Sequence, residues 1–488
     1  MLRVLRTREV KKTMVYDAVK SKIVCTIGPA SSSEEILTKM IEAGMDVARL
    51  NMSHEDHKTA KATFDTIRSI DDTVAVLLDL QGPKIRIGEM EEPVTLATGD
   101  QFVLSTEDFV GNKDRVSISH KHLPKDVKKG DTIALNDGIV RLTVKKISGQ
   151  EVTTEVVHGG PISSRKGANI PGIRLSCQVP TQEDLRDLTL AGKLQPDYIA
   201  LSFVTSADDV KRLRWSMEEK GLEDTEIISK IEHGLGVKNF DEILRESDGV
   251  MIARGDLGIE VPLEEVPILQ RDLIHRSNIW AKPAIVATHM LESMTEEVIP
   301  TRAEVSDVAH AIFDRADAVM LSGETAVGQN PVETVVMMNK IIKRAEQVLP
   351  RVDPLQVTSP KKMIVEIIGN LAYSAATLIP ENVDAVITST RSGYTARWVS
   401  KFRPPVPIFG VTGNIRVARK LRLLWGVQPI QFGKEEHNID ALVQASTRLV
   451  YERGLISKDK DIVFTSGVQM IPGRTNVVGV FHVKDLVD

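Results

Sequence analysis

Lys230 and Glu232 stand two residues apart, as do Arg254 and Asp256, and Arg49, Asn51 and Ser53 form a triplet at the same spacing. Residues two apart in an extended strand project to one side, so each set can deliver its polar groups to one place. The chain adds Asp79 with Lys84 and Arg86 beyond it, Thr288 beside His289, and Ser322 near Glu324. The carboxylates Asp79, Glu232, Asp256 and Glu324 are hard oxygen ligands. They suit a cation such as Mg2+, which takes few protein ligands and leaves room for substrate phosphates. Arg and Lys around such a cation make an electrostatic clamp for phosphoryl transfer. No His/Cys cluster has zinc spacing and no Walker A sequence occurs, which excludes a P-loop kinase. Taken singly, Lys230 with Glu232 or Arg254 with Asp256 reads as a plain ion pair. Six strand ends bearing such groups together point to function, because isolated charge burial is prohibitive.

The elements that must position these groups are short apolar runs rich in Val and Ile. They are Lys22 to Thr26, Met45 to Ser53, Val74 to Leu80, Asp197 to Phe203, Glu226 to Glu232, Gly249 to Asp256, Ala284 to Met290 and Ala318 to Thr325. Helical periods lie between most of them: Ile36, Leu37, Met40 and Ile41 share a face that stops at Gly44, and Thr301 with Glu304 makes a capping box. Apolar strands alternating with amphipathic helices predict a parallel sheet covered on both faces. Equivalent strand positions (24, 47, 76, 198, 227, 250, 285, 319) are separated by 23, 29, 122, 29, 23, 35 and 34 residues. Eight strands predict a (β/α)8 TIM barrel whose chemistry sits at the C-terminal strand ends.

The step of 122 exceeds its neighbours by about 93 residues, so a separate domain interrupts the barrel after strand three. Its runs at Gln101 to Ser105, Arg115 to Ser119, Thr132 to Leu135 and Ile139 to Ile147, separated by turns such as Asn136-Asp137-Gly138, predict an all-β lid. Pro350 to Pro360 has linker composition. Beyond it, helix-like Lys361 to Leu378 and four strand-like runs predict an open α/β domain. The expected units are an N-terminal arm (1–20), barrel (21–83), β lid (84–178), barrel again (179–349) and a C-terminal α/β regulatory domain (350–488).

Composition removes other classes. The 488 residues carry 62 basic and 67 acidic side chains, a net charge of -5, and only 11 Phe, 4 Trp and 5 Tyr, which speaks against nucleic-acid binding. Two cysteines, Cys25 and Cys177, cannot build a disulfide framework and fit a reducing cytoplasm. No apolar run approaches the ~18 residues of a membrane helix. Arg3, Arg6, Arg8, Lys11 and Lys12 have no apolar segment behind them and read as a solvated arm.

The stretches KIVCTIGPAS, MDVARLNMSH, LLDLQGPKIRIG, GGPISSRKGANIPG, SKIEHGLGV, MIARGDLGIE, ATHMLESM, PTRAEVSDVA and MLSGETAVG, in this order, resemble the pyruvate kinase family along nearly the whole chain. The resemblance implies phosphoryl transfer from phosphoenolpyruvate to ADP, giving pyruvate and ATP in glycolysis. It assigns Glu232 and Asp256 to Mg2+ (or Mn2+) and Lys230 to the transferring phosphoryl group and the enolate oxygen. Arg49 and Arg86 would grip the phosphoryl group. The Arg254-Gly255-Asp256 turn would present N–H groups to the substrate carboxylate opposite Thr288, as helix-start amides do. Asn51, His54, Arg86, Lys166 and Asp137 would meet the nucleotide and a second Mg2+, and enolate protonation would run near Thr288 and Ser322. K+ in this family is held by positions matching Asn51, Ser53, Asp79 and the Leu80 carbonyl. Here Lys84 follows Gly82-Pro83, and its ammonium can take the K+ role, so activity without K+ is expected; the alternative is Lys84 turned to solvent with K+ still bound. His289 stands where many members carry Gln.

Thr390, Arg391, Ser392, Gly393 and Thr395 resemble the family's sugar-phosphate effector loop, a phosphate nest, with Arg453 and the loop Gly467 to Arg474 facing it; a well-capped helix start is the plainer reading. A homotetramer is implied by the family alone. The competing readings are a Mg2+-dependent phosphoenolpyruvate/pyruvate barrel lyase, which would lack the lid motif, and a non-catalytic metabolite sensor, which would have lost Lys230 or a metal ligand.

Overall fold

Eight of the apolar runs close on themselves. In the computed structural model of the chain, residues 19–350, 363–379, 381–433, 438–467 and 475–488 are described. The strands β1 (Lys22–Ile27), β2 (Val47–Asn51) and β3 (Ala75–Asp79) precede the insert. The insert carries β4 (Val94–Leu96), β5 (Gln101–Ser105), β6 (Arg115–Ser117), β7 (Thr132–Leu135), β8 (Val140–Ser148), β9 (Glu151–His158), β10 (Gly160–Ile162) and β11 (Ala168–Asn169). Five more strands complete the barrel: β12 (Tyr198–Leu201), β13 (Glu226–Ile231), β14 (Gly249–Ala253), β15 (Ala284–Ala287) and β16 (Ala318–Leu321). The closed order is β1-β16-β15-β14-β13-β12-β3-β2, all parallel.

Alternate residues explain why these strands are apolar throughout. Val24, Val47, Leu77, Tyr198, Ile228 and Met251 fill the barrel interior. Ile23, Cys25, Ala48, Val76, Leu78 and Ile199 pack outward against the helices. The helices start where the caps predict: Ser33 accepts from the Ile36 N–H and Gly44 ends the same helix at φ 117°, and Thr301 with Glu304 closes the expected capping box.

Several strands stop sooner than the apolar runs suggest. β14 ends at Ala253, and Arg254–Glu260 is already helix. β15 ends at Ala287, after which Thr288 and His289 take φ of 71° and 54°. β16 ends at Leu321, before the short helix Gly323–Ala326. The chain leaves the sheet as soon as it reaches the mouth.

The insert forms a six-stranded sheet (β11-β7-β8-β9-β5-β6) and a two-stranded one (β10-β4) around its own core, which includes Phe102, Leu104, Ile133, Leu142 and Val152. Removing it in thought leaves β3 and β12 paired, Leu77 against Tyr198 and Asp79 against Ala200. Beyond the barrel lie β17 (Val383–Ser389), β18 (Ile408–Thr412), β19 (Val427–Gln431), β20 (Asp461–Ser466) and β21 (Val477–His482), in the order β19-β18-β17-β20-β21. The last strand is antiparallel to β20 and was absent from the sequence expectation. It is a half-buried edge strand of sequence VVGVFH, interrupted by Gly479.

This domain docks under the barrel floor, where Leu423 joins the interior cluster. Arg403 pairs with Asp317 at 2.8 Å and Arg397 with Glu226 at 2.7 Å, while Lys401, paired with Glu366 of its own domain at 2.5 Å, donates to the Ile279 carbonyl at 2.8 Å. The expected arm up to Ala18, the linker from Arg351 to Pro360 and the loop from Val468 to Arg474 lie outside the described residues.

Candidate active site

Lys230, near the end of β13, is the hub of the barrel mouth. Its Nζ lies 2.7 Å from Ser202 Oγ, 3.0 Å from Glu232 Oε1 and 3.2 Å from Asp79 Oδ1. Arg49, from β2, donates through Nε to Asp79 Oδ2 at 2.7 Å and through Nη1 to Thr26 Oγ1 at 2.8 Å. Glu232 Oε2 accepts the Phe203 N–H at 2.7 Å. Burial opposes the charges of Lys230 and Asp79. Their attraction outweighs it, raising the Lys230 ammonium and, with Arg49, lowering the Asp79 carboxyl.

Glu232 and Asp256 behave differently. Burial pushes both carboxyls up, Lys230 opposes this in each case, and Asp256 adds to the shift of Glu232. Two such carboxylates facing one mouth are short of positive charge, which is the donor set a hard divalent cation satisfies. Among the described residues no group of three or more His, Cys, Asp or Glu could hold a metal, so such a cation would take these two and fill its remaining positions from substrate and water.

Lys84 turns into the mouth: its Nζ donates to Ser53 Oγ at 2.9 Å, and burial, then Lys230, lowers its ammonium. The Leu80 carbonyl already accepts the Ser202 hydroxyl at 2.8 Å, and Asn51 Oδ1 accepts the Ser53 N–H at 3.2 Å. His54 is exposed, and burial of its ring together with the charges of Lys84, Arg86 and Arg49 lowers it. A cavity of about 570 Å3 between lid and barrel brings Lys84, Arg86, Asp137 and Lys166 to the same space as Asp256. Arg86 is exposed, with Nη1 on the Arg165 carbonyl at 3.0 Å, and Asp137 sits in its tight turn at φ 55°.

Two expectations, on Arg254 and on Glu324, need correction. Arg254 does not project with Asp256. In the first turn of a helix, residues two apart diverge by about 200°, and the Arg254 guanidinium turns away to Asp307 at 2.7 Å and the Thr288 carbonyl at 2.7 Å. The Gly255 N–H donates to Thr288 Oγ1 at 2.7 Å, so turn and threonine touch each other; a Cβ on Gly255 would lie 3.3 Å from that oxygen. Glu324 is a brace, its carboxylate accepting the Leu291 and Ser322 N–H groups at 3.1 and 2.6 Å. Ser322 Oγ itself is buried without a partner among the described residues, and His289 is exposed. Sequence reasoning missed Ser202 and Thr26, the hydroxyls that hold Lys230 and Arg49. Both sit at the ends of apolar runs, a signal that was there to be read.

In the C-terminal domain Gly393, at φ 82°, donates its N–H to Thr390 Oγ1 at 2.9 Å. Arg391 and Ser392 are exposed, and Thr395 Oγ1 shares a 2.6 Å hydrogen bond with Thr475 Oγ1. Arg453 is exposed at the end of the helix Ile439–Glu452, and among the described residues no hydrogen bond or ion pair joins its guanidinium to the loop 390–395.

Residues 18–335 match the family description "Pyruvate kinase, barrel domain" and residues 366–481 match "Pyruvate kinase, alpha/beta domain". A pyruvate kinase of Bacillus licheniformis is 43% identical over 476 residues, 96% of this chain and 81% of that protein. One of Geobacillus stearothermophilus is 42% identical over 482 residues, with the same coverage. The crystal structure of a pyruvate kinase from Cryptosporidium parvum superposes with a TM-score of 0.89 at 35% identity, covering 95% of this chain and 96% of the other.

Proposed function

The chain belongs to the pyruvate kinase family and is a phosphotransferase, and from that premise we propose that it moves the phosphoryl group of phosphoenolpyruvate to ADP in cytoplasmic glycolysis, with Mg2+ (or Mn2+) and without K+. The observation that carries the reading is Lys230, its ammonium raised, set 3.0 Å from one of two cation-deficient carboxylates.

Glu232 and Asp256 would hold the divalent cation, which when bound draws electron density from the substrate oxygens. Lys230 then faces the migrating phosphoryl group and the enolate oxygen left behind, stabilising charge where it develops. Arg49, fixed by Asp79, offers its remaining N–H groups to the same phosphoryl group, and Arg86 adds a second grip when the lid descends. Gly255, Asp256 and Thr288 would take the substrate carboxylate, with the Gly255 N–H exchanging its Thr288 partner for it. Arg254 serves that site indirectly by holding the Thr288 carbonyl. Asn51, His54, Asp137 and Lys166 would meet the nucleotide, and the unpartnered Ser322 hydroxyl or Thr288 would lead to the enolate carbon. Lid closure excludes water, which limits hydrolysis.

K+ independence rests on Lys84. Its ammonium on Ser53 occupies the group that would bind the ion, and the Leu80 carbonyl is already engaged. The loop Thr390–Thr395, with Arg453, would bind a phosphorylated effector. A homotetramer is favoured by an exposed apolar face on the helix Ile364–Leu378, which carries Ile364, Ile367 and Leu371. The separate cores support the division into barrel (21–83 and 179–349), lid (84–178) and regulatory domain (350–488), while of the arm (1–20) only Val19 and Lys20 are described, Val19 packing on the barrel core.

The test is pyruvate formation from phosphoenolpyruvate, ADP and Mg2+ in K+-free buffer, repeated with KCl. Equal turnover in both is expected. Turnover only with KCl removes Lys84 from the ion's role, and no turnover in either removes the reading. Activation by phosphorylated sugars should be lost in Ser392→Ala/Thr395→Ala; activation that persists moves the effector elsewhere.

A further inference from the structure

Two chain crossings join lid to barrel, and they are held in different ways. The outgoing one is wedged. Gly82, at φ 67°, donates its N–H to Asp184 Oδ1 at 3.0 Å, and a Cβ there would lie 2.7 Å from Ser202 Cβ. The returning one is gripped by two side chains of the barrel. Glu260 Oε2 accepts the Gly172 N–H at 3.2 Å. His233 Nε2 lies 3.2 Å from the Ile173 carbonyl and 3.2 Å from Glu260 Oε2. The Leu235 N–H donates to His233 Nδ1 at 3.0 Å, so Nδ1 is an acceptor and the ring proton sits on Nε2. The imidazole therefore donates toward the return strand and Glu260 while capping its own helix. The Gly172 N–H and the Ile173 carbonyl are thus both captured, by side chains that are themselves buried.

Where the pair stands gives it leverage. His233 directly follows Glu232, and Glu260 ends the helix whose first turn carries Asp256. Ile173, His233 and Glu260 all line the cavity into which Asp137 and Lys166 reach from the lid. With Gly82 wedged, a change of lid angle must be absorbed by the return strand, and that movement meets the His233–Glu260 grip.

We propose that His233 and Glu260 are a hinge latch: positioning residues that set the angle of the lid over the mouth, and with it the distance at which Asp137 and Lys166 meet the nucleotide. Neither touches the reacting atoms. The inference depends on neither the K+ reading nor the effector loop.

The experiment is amide hydrogen exchange over residues 170–175 in the full-length protein without metal or substrate, beside KM for ADP, kcat and thermal midpoint. Glu260→Ala removes the carboxylate. His233→Asn keeps an acceptor for the Leu235 N–H but is too short to reach Ile173, and His233→Gln keeps the reach instead. Breaking a hydrogen bond to a charged group should speed exchange there by about tenfold or more in Glu260→Ala and His233→Asn. KM for ADP should rise severalfold in both, with a smaller change in kcat, and His233→Gln should return exchange and KM toward those of the parent. Unchanged exchange in Glu260→Ala overturns the latch. So does a lowered thermal midpoint with unchanged KM, which would make the pair a structural brace, and so does a His233→Gln variant no better than His233→Asn.

Discussion

At the barrel floor the buried cations meet carboxylates without a deficit: Arg403 pairs with Asp317, Arg397 and Lys420 share Glu226, and Lys401 pairs with Glu366 inside the C-terminal domain. At the mouth Lys230 is shared between Asp79 and Glu232, and Asp256 makes no ion pair among the described residues. Positive φ does not separate the two regions, since Thr288 and His289 adopt it at the mouth and Arg315 and Arg403 at the floor; what differs is how the charges are matched. Matched charge belongs to docking. Unmatched charge gathers where substrate has yet to arrive, as functional sites commonly require.

The difference can be attacked from both ends. Lys230→Met should lower kcat by about 10^3-fold, the scale of losing a transition-state donor, read as steady-state pyruvate formation; near-parental turnover would remove the contrast. At the floor, Glu366→Ala leaves the Lys401 ammonium buried without its carboxylate and should cost roughly 3–5 kcal/mol in urea unfolding. Its kcat at saturating substrate should stay within about twofold, because no reacting group there depends on the C-terminal domain's helix packing. Lys84→Glu should make turnover depend on K+, with about a tenfold drop in K+-free buffer, or ~1.4 kcal/mol, that KCl restores.

The smallest effect concerns Glu55, whose Oε2 is buried at the mouth without a partner among the described residues. Burial above all raises its carboxyl from 4.5 to about 7. The folded chain therefore binds the extra proton between those values, and stability falls as pH rises through the window and is level above it. Glu55→Gln should gain about 1 kcal/mol at pH 8 and nothing at pH 4, the figure kept small because the side chain is partly exposed and screened. Equal midpoints at both pH values would show that this charge is matched after all.

The fold was readable because a barrel repeats: strand spacing alone exposed eight strands and the interruption after Asp79. What repetition could not show is where each strand lets go. Arg254 reads as strand by composition, yet the Gly255-Asp256 pair behind it starts a helix and sends the guanidinium to Asp307. Glu324 looked like one more mouth carboxylate; only the folded loop shows two backbone N–H groups consuming it. His233 and Glu260 carried no signal, because their meaning comes from Gly172 and Ile173, 60 and more residues away. β21 differs: its VVGVFH is an apolar run that the sequence does display, and only its antiparallel place at the sheet edge is hidden there.

The insertion point also bears on how the chain is made. On the ribosome, β3 emerges about 120 residues before its neighbour β12, which at 5–20 residues per second is a wait of roughly 6–24 s with a strand edge open. The lid folds around its own core in that interval and ties its ends together, the Ala168 N–H on the Ile85 carbonyl at 2.9 Å. That tie shortens the loop between Leu77 and Tyr198 from about 120 residues to about 40, lowering the entropy of closure by about 1 kcal/mol. The domain that later covers the mouth has by then already served as the splint that lets the barrel close.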